Sequence, residues 1–330
     1  MLPKISHGLS VIICTFNRAE SLRETLQQLA QADRAGLAVE ILIIDNGGND
    51  HTPDVVDSFS TCLPIRYLYE PTKGVYGKAH ALNHAIRSNG LGDLIAVLDD
   101  DMSVAADWFQ GLFAIANRNP DADLFTGRSY IIWPDVPILP WASYKEIQGW
   151  LFSIMGCGEN ERLLGNGQWF SGNHFWFRSR VLADGRCFED KWLTEPAFML
   201  SLIEDGFKAL QGPDAAVGHR IQPHLLDHTV ALKRAELCGS SAAEVRLLPV
   251  RRMVHQSQLV LKYPILARIL CVLRKAFWSL ECWRLRNVGP DQFEFGRKLM
   301  AIERRAMYRE YFRILTTAQE YRVFRQHGSI

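Results

Sequence analysis

A chain of 330 residues that is 48% hydrophobic and 22% charged has the composition of a folded globular protein and excludes a mainly disordered one. The net charge of +1 hides two opposed regions: residues 246–330 hold 17 Lys and Arg against 6 Asp and Glu, while the preceding 245 residues hold 20 against 30. Seven cysteines at 14, 62, 157, 187, 238, 271 and 282 include no Cys-x-x-Cys pair, which argues against a zinc site or a disulfide framework and fits reduced thiols in the cytoplasm. Met1–Gly8 lacks the apolar core of a signal peptide, and no run of about 18 apolar residues predicts a spanning helix.

In chain order, Leu9–Cys14 is an apolar run that reads as a strand and leads into Thr15-Phe16-Asn17-Arg18. A helix is predicted over Ser21–Ala30, where Leu22, Leu26 and Leu29 share one face. Val39–Ile44 reads as a second strand closed by Asp45-Asn46-Gly47-Gly48, a turn-forming cluster. Thr52–Ser60 reads as a helix, Ile65–Tyr69 as a strand, Lys78–Ser88 as a helix and Leu94–Leu98 as a buried strand. Alternating strands and helices of this kind predict an α/β fold with a mostly parallel sheet flanked by helices. From Phe125 to Phe188 the pattern is irregular and aromatic (Trp133, Trp141, Trp150, Trp169, Phe170, Phe175, Trp176, Phe177), and it reads equally as core or as a specificity region. A further helix is expected over Thr194–Leu210, with Pro196 in its first turn, and a short strand before His219. From about residue 247 the chain becomes basic, amphipathic and largely helical. The predicted organisation is therefore one domain over residues 1–245, divided near residue 125, and a basic helical extension over 246–330.

The strand Leu94–Leu98 delivers three consecutive carboxylates, Asp99-Asp100-Asp101. Carboxylates repel one another and are costly to desolvate, so such a cluster calls for a positive partner. A hard divalent cation shared with a phosphate group is the partner that suits oxygen ligands. Parallel strands carry ligand sites at their carboxyl ends. Thr15 and Asn17, Asp45 and Asn46, and Asp99–Asp101 all fall at such ends. Thr15 and Asn17 also suit the N-terminus of the following helix.

These motifs together resemble the family 2 inverting glycosyltransferases of the GT-A fold, over roughly residues 9–235. The family's Pro-Thr-x-Asn becomes Cys14-Thr15-Phe16-Asn17, its Asp-Asn-x-Ser turn becomes Asp45-Asn46-Gly47-Gly48, and its Gly-x-x-x-Ala-x-Asn element becomes Gly77-Lys78-Ala79-His80-Ala81-Leu82-Asn83. Asp99-Asp100-Asp101 stands for its Asp-x-Asp motif, and Gly172-Asn173 with Arg178 for a later Gly-Asn pair. The resemblance implies a Rossmann-like nucleotide-sugar half that binds the donor through Thr15, Asn17, Arg18, Asp45, Asn46, Lys78, Asn83, Asp99 and Asp100. Asp45 would accept the imide N–H of a uracil or thymine ring, Asp99 would approach the ribose, and Asp101 with His219 would ligate Mn²⁺ or Mg²⁺. Gly172, Asn173 and Arg220 are candidates for acceptor or phosphate contact, as is Arg234.

An inverting transfer needs a general base. In the family it opens a helix about 11 residues before a glycine, and counting back from Gly206 reaches Glu195, in Thr194-Glu195-Pro196 rather than the common Glu-Asp pair. Asp190, beside Glu189, is the alternative. The implied reaction is transfer from a UDP-sugar to a glycan or lipid-linked acceptor in bacterial cell-surface polysaccharide or glycolipid synthesis. The mix of apolar and basic residues over 259–286 suits either an anionic membrane surface, which would place the chain at the inner face of the cytoplasmic membrane, or packing on the catalytic domain. No nucleic-acid-binding motif accompanies the charge. Two other readings compete: a sugar nucleotidyltransferase, whose glycine-rich phosphate loop is missing after the first strand, and a non-catalytic nucleotide-sugar-binding scaffold.

Overall fold

The computed structural model describes residues 8–74, 77–154, 159–165, 168, 170–247 and 264–317. Trp169 and Cys157, residues 1–7, and residues 248–263 and 318–330 of the basic tail lie outside the described residues. The chain divides into two compact units, one within Met1–Ile132 and Ile154–Arg220, the other within Trp133–Ser153 and Ile221–Ile330.

In the first unit the apolar runs become strands β1 (Leu9–Thr15), β2 (Val39–Asp45), β3 (Ile65–Tyr69) and β4 (Leu94–Asp99). All four are parallel, in the order β3-β2-β1-β4. β9 (His174–Arg178) then runs antiparallel between β4 and β6 (Leu124–Thr126), followed by β10 (Ala209–Gln211) and β8 (Arg162–Leu163). A three-stranded sheet sets β11 (Val217–Arg220) between β5 (Met102–Val104) and β7 (Ser129–Ile132).

Strand side chains alternate between two cores, as a sheet covered on both faces requires. Val11, Ile13, Ile41, Ile43 and Ala96 face α1 (Ala19–Gln31), α2 (Thr52–Ser58) and α4 (Trp108–Arg118) through Leu22, Leu26, Val55 and Phe109. Ile12, Leu42, Ile44 and Val97 face α3 (Lys78–Arg87) and α6 (Thr194–Glu204) through Leu82, Phe198 and Leu202. Phe175 and Phe177 join this second core, while Trp176 points to the first, stacked on Phe125 with ring centroids 5.7 Å apart. Much of the aromatic segment is therefore core.

The expected helix over 194–210 stops at Glu204. Gly206, at φ +92°, turns the chain out of the helix, and Ala209–Gln211 becomes a strand. The second unit contains α5 (Lys145–Leu151), α7 (His228–Leu247), α8 (Pro264–Arg284) and α9 (Phe295–Thr316). Its limits do not follow the expected boundary at residue 245. α7 packs on α9, so residues 221–245 group with the basic helices rather than with the sheet.

Candidate active site

The ends of β1, β2 and β4, the start of β9 and the first turns of α3 and α6 deliver polar residues to one rim of the large sheet. β9 reaches it because its antiparallel register sets His174 opposite Leu98, and Asp99 N donates to Asn173 O at 3.0 Å.

The first group centres on Lys78, which opens α3 directly after Gly77. Gly77 holds φ +88°, and its carbonyl accepts from Asn46 Nδ2 at 2.7 Å, so Asn46 fixes where α3 begins. Lys78 Nζ forms an ion pair with Asp99, lies 2.6 Å from Glu195 Oε1 and reaches Gly172 O at 3.5 Å. Burial alone would lower the pKa of this ammonium, but the carboxylates of Asp99 and Glu195 raise it well above the ordinary lysine value. Glu195 is buried in the first turn of α6. A Cβ on Gly172 would fall 2.7 Å from Glu195 Cδ and 2.8 Å from its Oε2, so only glycine leaves room for the carboxylate. Cys14 stands where the family has proline, and burial pushes its thiol up to about 12, keeping it neutral beside these charges.

The second group contains the rest of the triplet. Arg18 Nη1 lies 3.0 Å from Asp100 Oδ1, and its Nη2 lies 2.5 Å from Asp101 Oδ2. Thr15 Oγ1 donates to Asp100 Oδ2 at 2.7 Å. The Asp100 carbonyl accepts from Ser21 Oγ at 3.0 Å and lies 2.8 Å from Thr25 Oγ1. Burial, with Asp101 and Asp99 alongside, pushes the Asp100 carboxyl up to about 7 against the pull of Arg18 and Thr15. Asp100 therefore faces inward and positions Arg18 and Thr15. For Asp101, burial acts upward, but His219 and Arg18 outweigh it and hold the carboxyl far below the usual range. His219 Nε2 is 3.4 Å from Asp101 Oδ2.

The third group is the β2 turn. Asp45 Oδ1 accepts from Gly48 N at 2.8 Å, and its Oδ2 accepts from Tyr67 OH at 2.9 Å. A Cβ on Gly48 would lie 2.6 Å from Asp45 Oδ1. Asn17, at φ +51°, accepts from Asn49 N at 2.8 Å and joins the first two loops. Sequence reasoning missed Tyr67 because its role depends on which strand lies beside β2. In the sequence Gly48 reads only as a turn residue.

Several expected residues do other work. The Asn83 amide is paired with the Phe188 backbone: its Nδ2 donates to Phe188 O and its Oδ1 accepts from Phe188 N, each at 2.8 Å. Arg220 is engaged by protein oxygens. It donates to Met102 O at 2.6 Å and Ser21 O at 2.9 Å and pairs with Glu24 at 2.9 Å, clamping the backbone behind the triplet. The Asp190 carboxylate lies against Gly74, where a Cβ would meet Asp190 Oδ2 at 2.6 Å, and the Glu195 carboxylate is the one that meets Lys78. Arg234 lies on α7 in the second unit.

A divalent cation fits the Asp101 end on one observation. Asp101 Oδ1 is a buried oxygen with no hydrogen-bond partner among the described residues, and the His219 imidazole approaches the other oxygen of the same carboxylate. Among the described residues no group of three or more His, Cys, Asp or Glu forms a ready-made metal cage. Oxygens from outside the protein would have to complete the shell, as is usual for Mg²⁺ held by one or two carboxylates with substrate phosphates.

The chain, with its mixed and mostly parallel sheet covered by helices on both faces and an acidic triplet at the end of the fourth strand, has the GT-A fold. The chain belongs to glycosyl transferase family 2, whose profile matches residues 10–184. In fold it is similar to the mannosyltransferase PcManGT from Pyrobaculum calidifontis, solved with GDP-Man and Mn²⁺, at a TM-score of 0.58 and 16% identity over 94% of this chain and 89% of that one. It is also similar to residues 1–349 of S. aureus TarS in complex with UDP-GlcNAc, at a TM-score of 0.50 and 15% identity over 96% and 91%. In sequence it is 28% identical over 294 residues to the validoxylamine A glucosyltransferase of Streptomyces hygroscopicus subsp. jinggangensis, covering 84% of this chain and 67% of the relative. The enzyme of the same name from subsp. limoneus is 27% identical, with 84% and 62% covered. This chain thus spans about two thirds of the length of these Streptomyces relatives.

Proposed function

We propose that the chain is an inverting, metal-assisted glycosyltransferase that moves a sugar from a nucleotide-diphosphate sugar, with UDP as the favoured nucleotide, to an acceptor hydroxyl. The setting is synthesis of a bacterial cell-surface polysaccharide or glycolipid at the cytoplasmic face of the membrane, with a glycan or a lipid-linked acceptor. One observation carries the reading: a buried carboxylate, Glu195, meets Lys78 at the same rim as the acidic triplet. Support for nucleotide-sugar use comes from the family and from fold neighbours solved with GDP-Man and UDP-GlcNAc.

Glu195 takes the proton from the acceptor hydroxyl as that oxygen attacks the anomeric carbon from the face opposite the leaving group. The carbon–oxygen bond to the diphosphate breaks in the same displacement, and the configuration inverts. Lys78 orients the Glu195 carboxylate through its 2.6 Å contact. Asp99, also paired with Lys78, takes the ribose side. A carboxylate has about four lone-pair positions, so Asp45, with Gly48 N and Tyr67 OH already bound, keeps capacity for an imide N–H. Asp101 and His219 would hold Mn²⁺ or Mg²⁺, which when bound offsets the negative charge on the departing diphosphate.

Glu195→Gln keeps the shape and the contact with Lys78 but removes the base. Turnover is expected to fall roughly a thousandfold while the thermal stabilisation given by the donor is retained. Unchanged turnover in a correctly folded variant would remove Glu195 as the base.

A further inference from the structure

α8 has two unlike faces. On one, Ala267 and Cys271 are buried with Leu315 and the aromatic rings of α9, and Arg268 Nε donates to Leu315 O at 2.9 Å. On the other, Leu266, Leu270, Leu273, Phe277 and Leu280 follow one another at intervals of four and three residues, which aligns them along the helix. Their exposure runs from 48% at Leu270 to 59% at Leu273 and Leu280, and Trp283 continues the stripe at 61%. Single exposed leucines are ordinary on protein surfaces, whereas a continuous apolar stripe of this length marks an interaction surface.

Charge selects the occupant. Arg274, Lys275 and Arg284 are exposed on α8 and Arg286 just beyond it, Arg274 also donating to Tyr308 OH of α9 at 2.7 Å, against one acidic residue of the helix, Glu281, which is already held by Arg284 at 3.2 Å. A second copy laid along this face would bring cations against cations with no acidic complement. A layer of anionic phosphate headgroups over acyl chains matches both features, since leucine and aromatic side chains enter the apolar boundary while arginine and lysine remain among the headgroups. At 21 residues α8 is about 30 Å long, and no helix among the described residues is apolar enough to cross a membrane, so the helix would lie in the surface plane.

We propose that the exposed face of α8 docks on an anionic phospholipid bilayer. It deepens the reading of a lipid-linked acceptor without depending on it, because vesicle binding needs neither donor nor transfer. The test is co-sedimentation of the full chain with vesicles of phosphatidylcholine alone or mixed equally with phosphatidylglycerol. Binding to the mixed vesicles is expected to be at least about tenfold tighter and to weaken as salt is raised. The double variant Leu273→Glu/Phe277→Glu, with circular dichroism and Tm like the parent, is expected to lose vesicle binding, and Arg274→Glu/Lys275→Glu to lose the preference for anionic lipid. Equal binding to both vesicle types, or unaltered binding by Leu273→Glu/Phe277→Glu, would overturn the assignment. So would a dimer in solution that this double variant converts to monomer, which would make a second copy the occupant. Loss of vesicle binding with transfer to a soluble acceptor intact would leave the transferase reading standing.

Discussion

The rim of the large sheet and the outer face of α8 depart from the usual inside–outside partition in opposite directions. At the rim, Asp100, Asp101 and Glu195 are buried although charge favours water. Along α8, Leu273, Phe277 and Leu280 are exposed although apolar surface favours burial. The rim answers its own charges: Arg18 stands against Asp100 and Asp101, and Lys78 against Asp99 and Glu195. The α8 stripe has no comparable answer within its own helix, whose buried residues are on the opposite face. Buried ion pairs add little net stability compared with apolar packing, and exposed apolar surface forfeits burial energy. Neither arrangement is what folding alone favours, and such places are where ligand contact is expected. The contrast also separates two kinds of partner, a compact charged substrate at a preformed rim and an extended surface along a helix.

The largest expected effect away from the base itself comes from disturbing the rim without touching a charge. In Gly172→Ala the new methyl must displace Glu195, since it would lie 2.7 Å from Cδ. A displacement near 1 Å is expected to lower turnover about a hundredfold, with Tm close to that of the parent. Turnover retained in this variant would make the Glu195–Lys78 contact a structural pair and weaken the contrast with α8.

A smaller effect concerns a buried polar group beside the rim that is not paired with charge. His174 accepts from Trp108 Nε1 at 3.1 Å, and burial lowers its pKa to about 3. An unfolded histidine titrates near 6.5. Above that pH the imidazole is neutral in both states and contributes no pH dependence. Between about 6.5 and 3 the unfolded chain binds a proton that the folded chain refuses, so stability falls by about 1.4 kcal/mol per pH unit as the pH drops. His174→Gln keeps an acceptor for Trp108 and removes this slope. Urea denaturation of the parent and variant between pH 7 and 4.5, a range of order two to three units, checks it. Parallel stability curves would show that His174 takes up its proton in the fold.

Much of the first unit was legible in the residues. Leu9–Cys14, Val39–Ile44 and Leu94–Leu98 are short apolar runs ending in polar residues, and their parallel order follows from the helices between them. Thr15, Arg18, Asp45, Asn46, Lys78, Asp99–Asp101, Glu195 and His219 all lie in the first unit, with the contacts described above. What could not be read was orientation. Nothing in the spacing of Asn83 or Arg220 says that one would pair with the Phe188 backbone and the other with Met102 and Ser21. β9 was hidden because aromatic side chains on both of its faces erase the alternation that marks a half-exposed strand. The end of α6 was misplaced because apolar residues continue past Gly206 into β10. The acidic triplet shows the same limit. Its need for positive partners was readable, whereas its pairing with Arg18 and Lys78 required the fold.

A thermal-shift screen of nucleotide sugars with and without Mn²⁺, run on the parent and on Asp101→Asn, probes the proposed metal-assisted nucleotide-sugar site at this rim. The expected result is that one nucleotide sugar at about a hundred times its Kd raises the Tm of the parent by roughly 5 °C, that most of this gain needs Mn²⁺, and that Asp101→Asn loses the metal-dependent part. Stabilisation that is the same with and without Mn²⁺, or the same in Asp101→Asn, would contradict the role given to Asp101. Absence of stabilisation by any nucleotide sugar would contradict the site itself.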